Sequence, residues 1–153
     1  FCAVCLILVG CSTLRWSSLE KEFEKQKDQL VRAELDWDID ACWGGGATAF
    51  KRDAEVVMIE SVVGTSFRFI YRDFYFKNRK LALVVQKTTL WHDNKGNPLD
   101  KHRLESEARF YFEGGHLLKM EGSVPGGALP LLDCGEEALL EWTAELSILA
   151  LKK

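Results

Sequence analysis

The chain has 153 residues, 47% of them apolar, and a formal net charge of −3. That length suits one domain with its own core, and the composition excludes wholesale disorder. The charge excludes an electrostatic case for nucleic acid: Arg68, Arg72, Lys77, Arg79, Lys80 and Lys87 are scattered with no dense basic run, whereas nucleic-acid binders carry a basic face.

Phe1 to Val9 form one apolar run, interrupted only by cysteine and alanine. It is far short of the ~20 residues a membrane-spanning helix needs, but has the length of a signal-peptide apolar segment. No initiator Met or basic stretch precedes it, so the start of such a leader is expected upstream. Leu8-Val9-Gly10-Cys11 resembles the bacterial lipobox, with a branched apolar residue at −3 and a small residue before the cysteine. The resemblance implies that residues 1–10 are a lipoprotein signal peptide and that Cys11 is lipidated after cleavage. Residues 11–16 are then a short tether and residues 17–153 a single domain. Two or three acyl chains anchor durably where one is marginal. Ser12, with no Asp in its place, directs the expectation to the outer membrane, facing the periplasm or the cell surface, rather than the inner one. The competing reading is a buried thiol after an ordinary apolar strand.

Once Cys2 and Cys5 leave with the leader and Cys11 carries lipid, Cys42 and Cys134 remain. A disulfide between them would close a loop of about 90 residues and contribute about 4–5 kcal/mol. Two unpaired buried cysteines are the alternative. No CxxC or close Cys/His spacing suggests zinc.

Ser17-Ser18-Leu19-Glu20 has capping-box spacing, and Trp16, Leu19, Phe23, Leu30, Ala33 and Trp37 follow at helical spacing, with Gln26 interrupting. The pattern predicts an amphipathic helix over 18–35. Asp36 to Asp40 alternates acids like the start of a calcium loop, but Ala41 and Ala47 stand where glycine and glutamate are needed. Gly44-Gly45-Gly46 lacks a following Lys-Ser/Thr and reads as a flexible connector.

From Ala47 to Met120 the pattern turns to strands: EVVMIESVV, SFRFIYRDFYF, KLALVVQKTTLW and SEARFYF are bounded by turn residues. Phe74-Tyr75-Phe76-Lys77-Asn78-Arg79-Lys80-Leu81 repeats as Phe110-Tyr111-Phe112-Glu113-Gly114-Gly115-His116-Leu117. Each unit predicts a β-hairpin with a two-residue turn. Thr48 to Glu55, with turn residues Arg52 and Asp53, reads as a third, degraded copy. Simple alternation puts Phe74, Phe76, Leu81, Leu83 and Val85 on one face, with Tyr75, Ala82 and Val84 on the other. In the second hairpin Phe110, Phe112 and Leu117 oppose Tyr111, Leu118 and Met120. The apolar face should take the helices, leaving the mixed face with Tyr75 and Tyr111 for a ligand or partner.

His92 to Pro98 form a polar loop, Ser123 to Pro130 an irregular crossing, and Asp133 to Glu136 a second capping pattern. The latter opens a helix striped by Leu139, Trp142, Leu146 and Leu149, with Leu140 and Leu151 widening it. The expected fold is α+β: one antiparallel meander of about six strands, an N-terminal and a C-terminal helix packed on one face. The repeat resembles small bacterial lipoproteins with tyrosine-rich YYF-x-N-G-K-L hairpins. This chain departs at Asn78-Arg79, where that pattern has Asn-Gly, and at His116, where it has Lys. A fainter likeness to MORN-type hairpin repeats fails on repeat length. Neither resemblance implies an activity.

His92 and His102 flank the loop and could approach each other, forming a metal site with Asp93 or Glu105, but without a third convergent ligand solvated loop histidines are favoured and no metal site is assigned. No nucleophile elbow or S-x-x-K occurs. Glu105 and Glu107, near Arg109, are better explained by cross-strand ion pairs than by acid–base work. The expected function is a lipid-anchored envelope domain that binds an envelope protein or small ligand through the mixed sheet face or the loop carrying His92 and Asp93. It calls for no cofactor and no nucleic acid; the alternative is a hydrolase-like envelope enzyme whose site only the fold assembles.

Overall fold

The computed structural model describes residues 16, 18–38, 44–93, 95–123 and 136–153. A helix over 18–26, here α1, runs into a single 3-10 turn, Lys27–Gln29. Seven strands follow: β1 (Val31–Leu35), β2 (Gly45–Arg52), β3 (Glu55–Gly64), β4 (Arg68–Lys77), β5 (Lys80–His92), β6 (Pro98–Glu113) and β7 (His116–Ser123). Helix α2 (Glu136–Lys152) closes the chain. The strands form one antiparallel sheet in sequence order, a seven-stranded meander. The fold is α+β, with both helices contacting the sheet.

The additional strand is β1, carved from what the periodicity reads as one long helix. The helical stripe breaks at Gln26, and Leu30 is already extended (φ −87°, ψ 143°). Val31 to Leu35 then pair with Lys51 to Ala47. Leu35 belongs to the core under α2, whereas Leu19 and Phe23 belong to the core under α1, so one helix could not have placed them all. Gly45 and Gly46, read as connector, pair with Val63 and Val62 as the start of β2.

The two helices lie on opposite faces of the sheet, not on one. Under α2, Leu139, Leu146 and Ala150 pack on Ile59, Val63, Phe74, Leu81, Val84, Ala108, Phe110 and Phe112. Under α1, Trp16, Leu19 and Phe23 pack on Phe50, Met58, Tyr75, Ala82, Leu83, Val85 and Tyr111. Burying a large apolar side chain contributes about 1.5–3 kcal/mol, so each face supports a core of its own.

The cause is a bulge repeated in all three hairpins. Phe76 pairs with Leu81 but Tyr75 with Leu83, leaving Ala82 as the extra residue. Phe112 pairs with Leu117 but Tyr111 with Lys119, leaving Leu118. Lys51 pairs with Val56 but Phe50 with Met58, leaving Val57. An inserted residue reverses the face of everything beyond it. Leu83 and Val85 therefore join Tyr75 under α1, Val84 joins Phe74, and Met120 packs with the α2 core. The same equivalence confirms the third copy and shifts its turn by one residue, to Asp53-Ala54. It also aligns Phe50, Tyr75 and Tyr111 as one aromatic row, which α1 covers: Phe23 meets Phe50 at 5.2 Å and Tyr75 at 5.8 Å, and Trp16 meets Tyr111 at 5.3 Å.

All three turns use positive φ at both central residues: Asp53 56° and Ala54 117°, Asn78 51° and Arg79 61°, Gly114 62° and Gly115 87°. Only the last turn has glycine, which adopts this region freely. Ala54→Gly and Arg79→Gly are each expected to stabilise the protein by about 0.5–1 kcal/mol, after allowing for the entropy glycine adds to the unfolded chain. Urea denaturation midpoints check this, and an unchanged or lower midpoint contradicts it.

Candidate functional site

Helix α1 covers only the turn-proximal part of its face. Strands β4, β5 and β6 have 10, 13 and 16 residues, so at about 3.3 Å per residue β5 alone extends roughly 43 Å. Beyond α1 the same face continues in two zones.

The nearer zone is charged. Glu60, Asp73, Val85, Arg109 and Glu121 stand in register across β3 to β7. Lys27 donates to Glu60 at 2.9 Å, and Arg109 reaches Glu20 of α1 at 3.3 Å and Glu107 at 2.7 Å. These contacts tie α1 and its 3-10 turn to the sheet. The Tyr111 hydroxyl donates to Glu121 at 2.7 Å, and Lys119 pairs with the same carboxylate. Asp73 is different: burial, and next the negative charge of Glu60, push its carboxyl up to about 6. It lies on a solvent-open cleft of about 690 Å³ that also includes Glu60, Val62, Tyr71, Lys87 and Thr48.

The farther zone is aromatic. Phe69 lies 5.2 Å from His102, 6.0 Å from Trp91 and 6.4 Å from Tyr71, with interplanar angles of 21°, 40° and 42°. Phe67 packs edge-on against His92 at 6.0 Å. Phe67, Leu104 and Tyr71 are 53%, 52% and 38% exposed. Register explains the grouping: Phe69 pairs with Thr89 and Thr89 with Leu104, so alternate residues of three strands face the same way. The Trp91 indole N–H donates to Thr65 O at 3.4 Å. Thr89 Oγ1 and His92 Nδ1 are buried there with no hydrogen-bond partner among the described residues.

The opposite face also holds buried polar groups, but they lie under α2. Ser61, Arg72 and Gln86 form a row across β3 to β5. The Arg72 Nε donates to Gln86 Oε1 at 2.8 Å, and its guanidinium sits 4.6 Å from the Trp142 ring. Such a closed arrangement positions α2 and offers no access.

Among the residues singled out in the sequence, Tyr75 and Tyr111 are 5% and 7% exposed. They are floor residues beneath α1, which corrects their expected place on an open face. His92 sits at the tip of the aromatic zone, T-shaped to Trp91 at 3.9 Å. Asp93 organises its loop: its carboxylate accepts from Lys95 N and Asn97 N at 2.8 Å each and from Asn97 Nδ2 at 3.0 Å. Those bonds, the Asn97 side chain's first, hold its carboxyl below the usual range. Glu105 pairs with Arg68 at 2.5 Å and Glu107 with Arg109, as expected for structural ion pairs. Cys11, Cys42 and Cys134 lie outside the described residues. No described helix is long and apolar enough to cross a membrane.

Sequence reasoning missed Phe67, Phe69, Tyr71, Trp91 and Leu104, and weighed His102 only as a loop histidine, whereas it stacks on Phe69. The signal was present in the i, i+2 spacing of Phe67, Phe69 and Tyr71. No family model, curated protein or solved structure matches the chain.

Proposed function

We propose that this is a lipid-anchored domain of the bacterial cell envelope, a non-catalytic binding module whose ligand occupies the part of the sheet face that α1 leaves open. The observation carrying this reading is the exposed aromatic zone continuous, through Tyr71, with the charged cleft. Isolated exposed apolar residues are ordinary, but a contiguous group rimmed by polar ones marks an interaction site.

Orientation supports it. Trp16 lines a hollow with Asn78 and Gly114, at the hairpin-turn end of the sheet. Five residues from Cys11 reach at most ~18 Å, so lipid on Cys11 would hold the turn end against a bilayer. Arg52, Lys77, Arg79 and Lys80 on the turns suit anionic headgroups there. The aromatic zone, at the other end of β4 to β6, then points away from the membrane.

A hydrolase-like reading has one observation in its favour, the adjacent carboxyls of Glu60 and Asp73 with Asp73 raised to about 6. Against it, Glu60 is held by Lys27, and the aromatic zone is left without a role.

Two measurements on the full-length protein test the proposal. Cys11→Ala should release it from the membrane fraction or leave it uncleaved; unchanged fractionation removes the anchor. A photo-crosslinker at position 104 in native envelopes should give a discrete adduct, and its absence removes the binding surface.

A further inference from the structure

Resting on the envelope placement but not on the acyl chain, we propose that the hairpin-turn end of the sheet docks on an anionic lipid surface. Lys77, Arg79, Lys80 and Lys152 lie on the headgroups, and Ile148 and Leu151 reach the acyl boundary. Lys77-Asn78-Arg79-Lys80 makes the turn between β4 and β5. Lys77 and Lys80 stand directly opposite each other in the ladder, where like charges repel. Arg79 between them holds φ at 61°, a conformation that glycine adopts freely and arginine only at a steric cost. All three are exposed, and none belongs to an ion pair among the described residues. A turn that only joined two strands would shed both costs with a glycine and an uncharged residue. An external negative surface gives the three cations a use that offsets them.

Helix α2 brings apolar side chains to the same end. Its outward face carries Glu137, Glu141 and Glu145, all exposed, and then changes character: Ile148 and Lys152 follow at the same helical spacing. Ile148 and Leu151 are 55% and 71% exposed, although the sequence stripe counts Leu151 with the core. Leu151 and Arg79 line one hollow of about 290 Å³. Arg79 also lines a second, of about 450 Å³, with Arg52, Lys77, Leu19 and Phe23 on the α1 side.

Asp53, Glu55 and Glu113 share this end, but Arg52, Lys77, Arg79, Lys80, Lys152 and Lys153 outnumber them in a chain of net charge −3. That asymmetry selects an anionic occupant, and it opposes a second copy of the same end, since like charges would meet. The apolar pair selects a lipid surface over a nucleic acid or an acidic polysaccharide: it gains from an acyl boundary and nothing from a hydrated polyanion. Trp16, on the chain leading from Cys11, lies at this end as well, beside Lys77 and Lys80.

Co-sedimentation of the full-length Cys11→Ala protein with vesicles tests this, phosphatidylglycerol mixed equally with phosphatidylcholine against phosphatidylcholine alone. The substitution takes acyl chains out of the reading, and whatever the apolar run Phe1 to Val9 adds is common to every variant. The anionic vesicles should bind about tenfold tighter or more. Each cation near an anionic surface contributes about fivefold, so Lys77→Gln with Lys80→Gln should weaken anionic binding by about tenfold or more. Leu151→Ser should weaken it about fivefold or more. Lys77 and Lys80 repel each other and Leu151 is exposed, so thermal midpoints should not fall. Equal binding to both vesicles, or anionic binding that the lysine pair does not change, overturns the contact. Anionic binding that needs the lysines but not Leu151 means a general polyanion site and overturns the lipid surface. The anchor is read separately, after a high-salt wash of native membranes, which strips electrostatic contacts but not acyl chains. Cys11→Ala that fractionates there like the parent removes the anchor alone. Its release there, together with no anionic preference in vesicles, removes this contact alone.

Discussion

Tyr75→Ala is expected to destabilise the protein by about 3–5 kcal/mol, the range for deleting a buried aromatic side chain. Tyr75 is 5% exposed, pairs with Leu83 across β4–β5 and meets Phe23 edge-on at 5.8 Å. The same substitution on a solvated sheet face would cost under about 1 kcal/mol, so the experiment separates a floor residue from a surface one. Urea denaturation supplies the number. Phe23→Ala should lose a comparable amount, and the double variant should lose less than the two effects added, because both delete the same helix–sheet contact. Strict additivity, or a loss near 1 kcal/mol for Tyr75→Ala, would sink the assignment of α1 to this face.

The size of that expected effect measures how one residue of bulge decides what a sequence reading gets right. Strand existence, the hairpin repeat and the α2 stripe are legible because they depend on local composition and short periods. Which face Leu83, Val84 and Val85 occupy is not, because it depends on Ala82 being skipped by the ladder. Alternation counted from the Asn78-Arg79 turn is off by one beyond that point. Three aligned copies contain the correction: Phe50, Tyr75 and Tyr111 are equivalent only when all three turns are placed alike, and their shared aromatic character marks a common burial site. The β1 segment was hidden for a different reason. Leu30, Ala33 and Trp37 satisfy helical spacing, and only the sheet's demand for an edge partner at β2 overrides it.

The aromatic zone was legible only in part. His92 lies at its tip, but Asp93 serves its own loop. The aromatic zone draws on β4, β5 and β6 together, and His102 and Leu104 reach the face through a shift in the β5–β6 register. The i, i+2 spacing of Phe67, Phe69 and Tyr71 announces only the β4 share of that convergence. Length is what exposes it: α1 is short and the central strands are long, so among the described residues part of the face lies beyond the helix.

Asp73→Asn is expected to stabilise the protein by about 2 kcal/mol at pH 7.5 and by almost nothing at pH 4. In the unfolded chain this carboxyl titrates near 3.8; in the fold, burial and then Glu60 bring it to about 6. Between those values the folded state holds more protons than the unfolded state, so stability falls as pH rises through the window. Above about 6 the folded protein bears the whole cost of an ionised, desolvated carboxylate, while at pH 4 a carboxylic acid and an amide are nearly equivalent. A shift of about two pH units corresponds to about 3 kcal/mol, reduced to about 2 because Asp73 retains some contact with water and the cations Lys87 and Lys27 lie nearby. Urea titrations of both proteins at the two pH values give the comparison. A gain of equal size at both would mean the amide acts through packing, and no gain at either would mean the carboxylate is solvated after all. Protein cores seldom keep a carboxylate that an amide of the same shape would improve. Asp73 borders the solvent-open cleft together with Glu60 and Tyr71, so that stability cost is borne at the cleft.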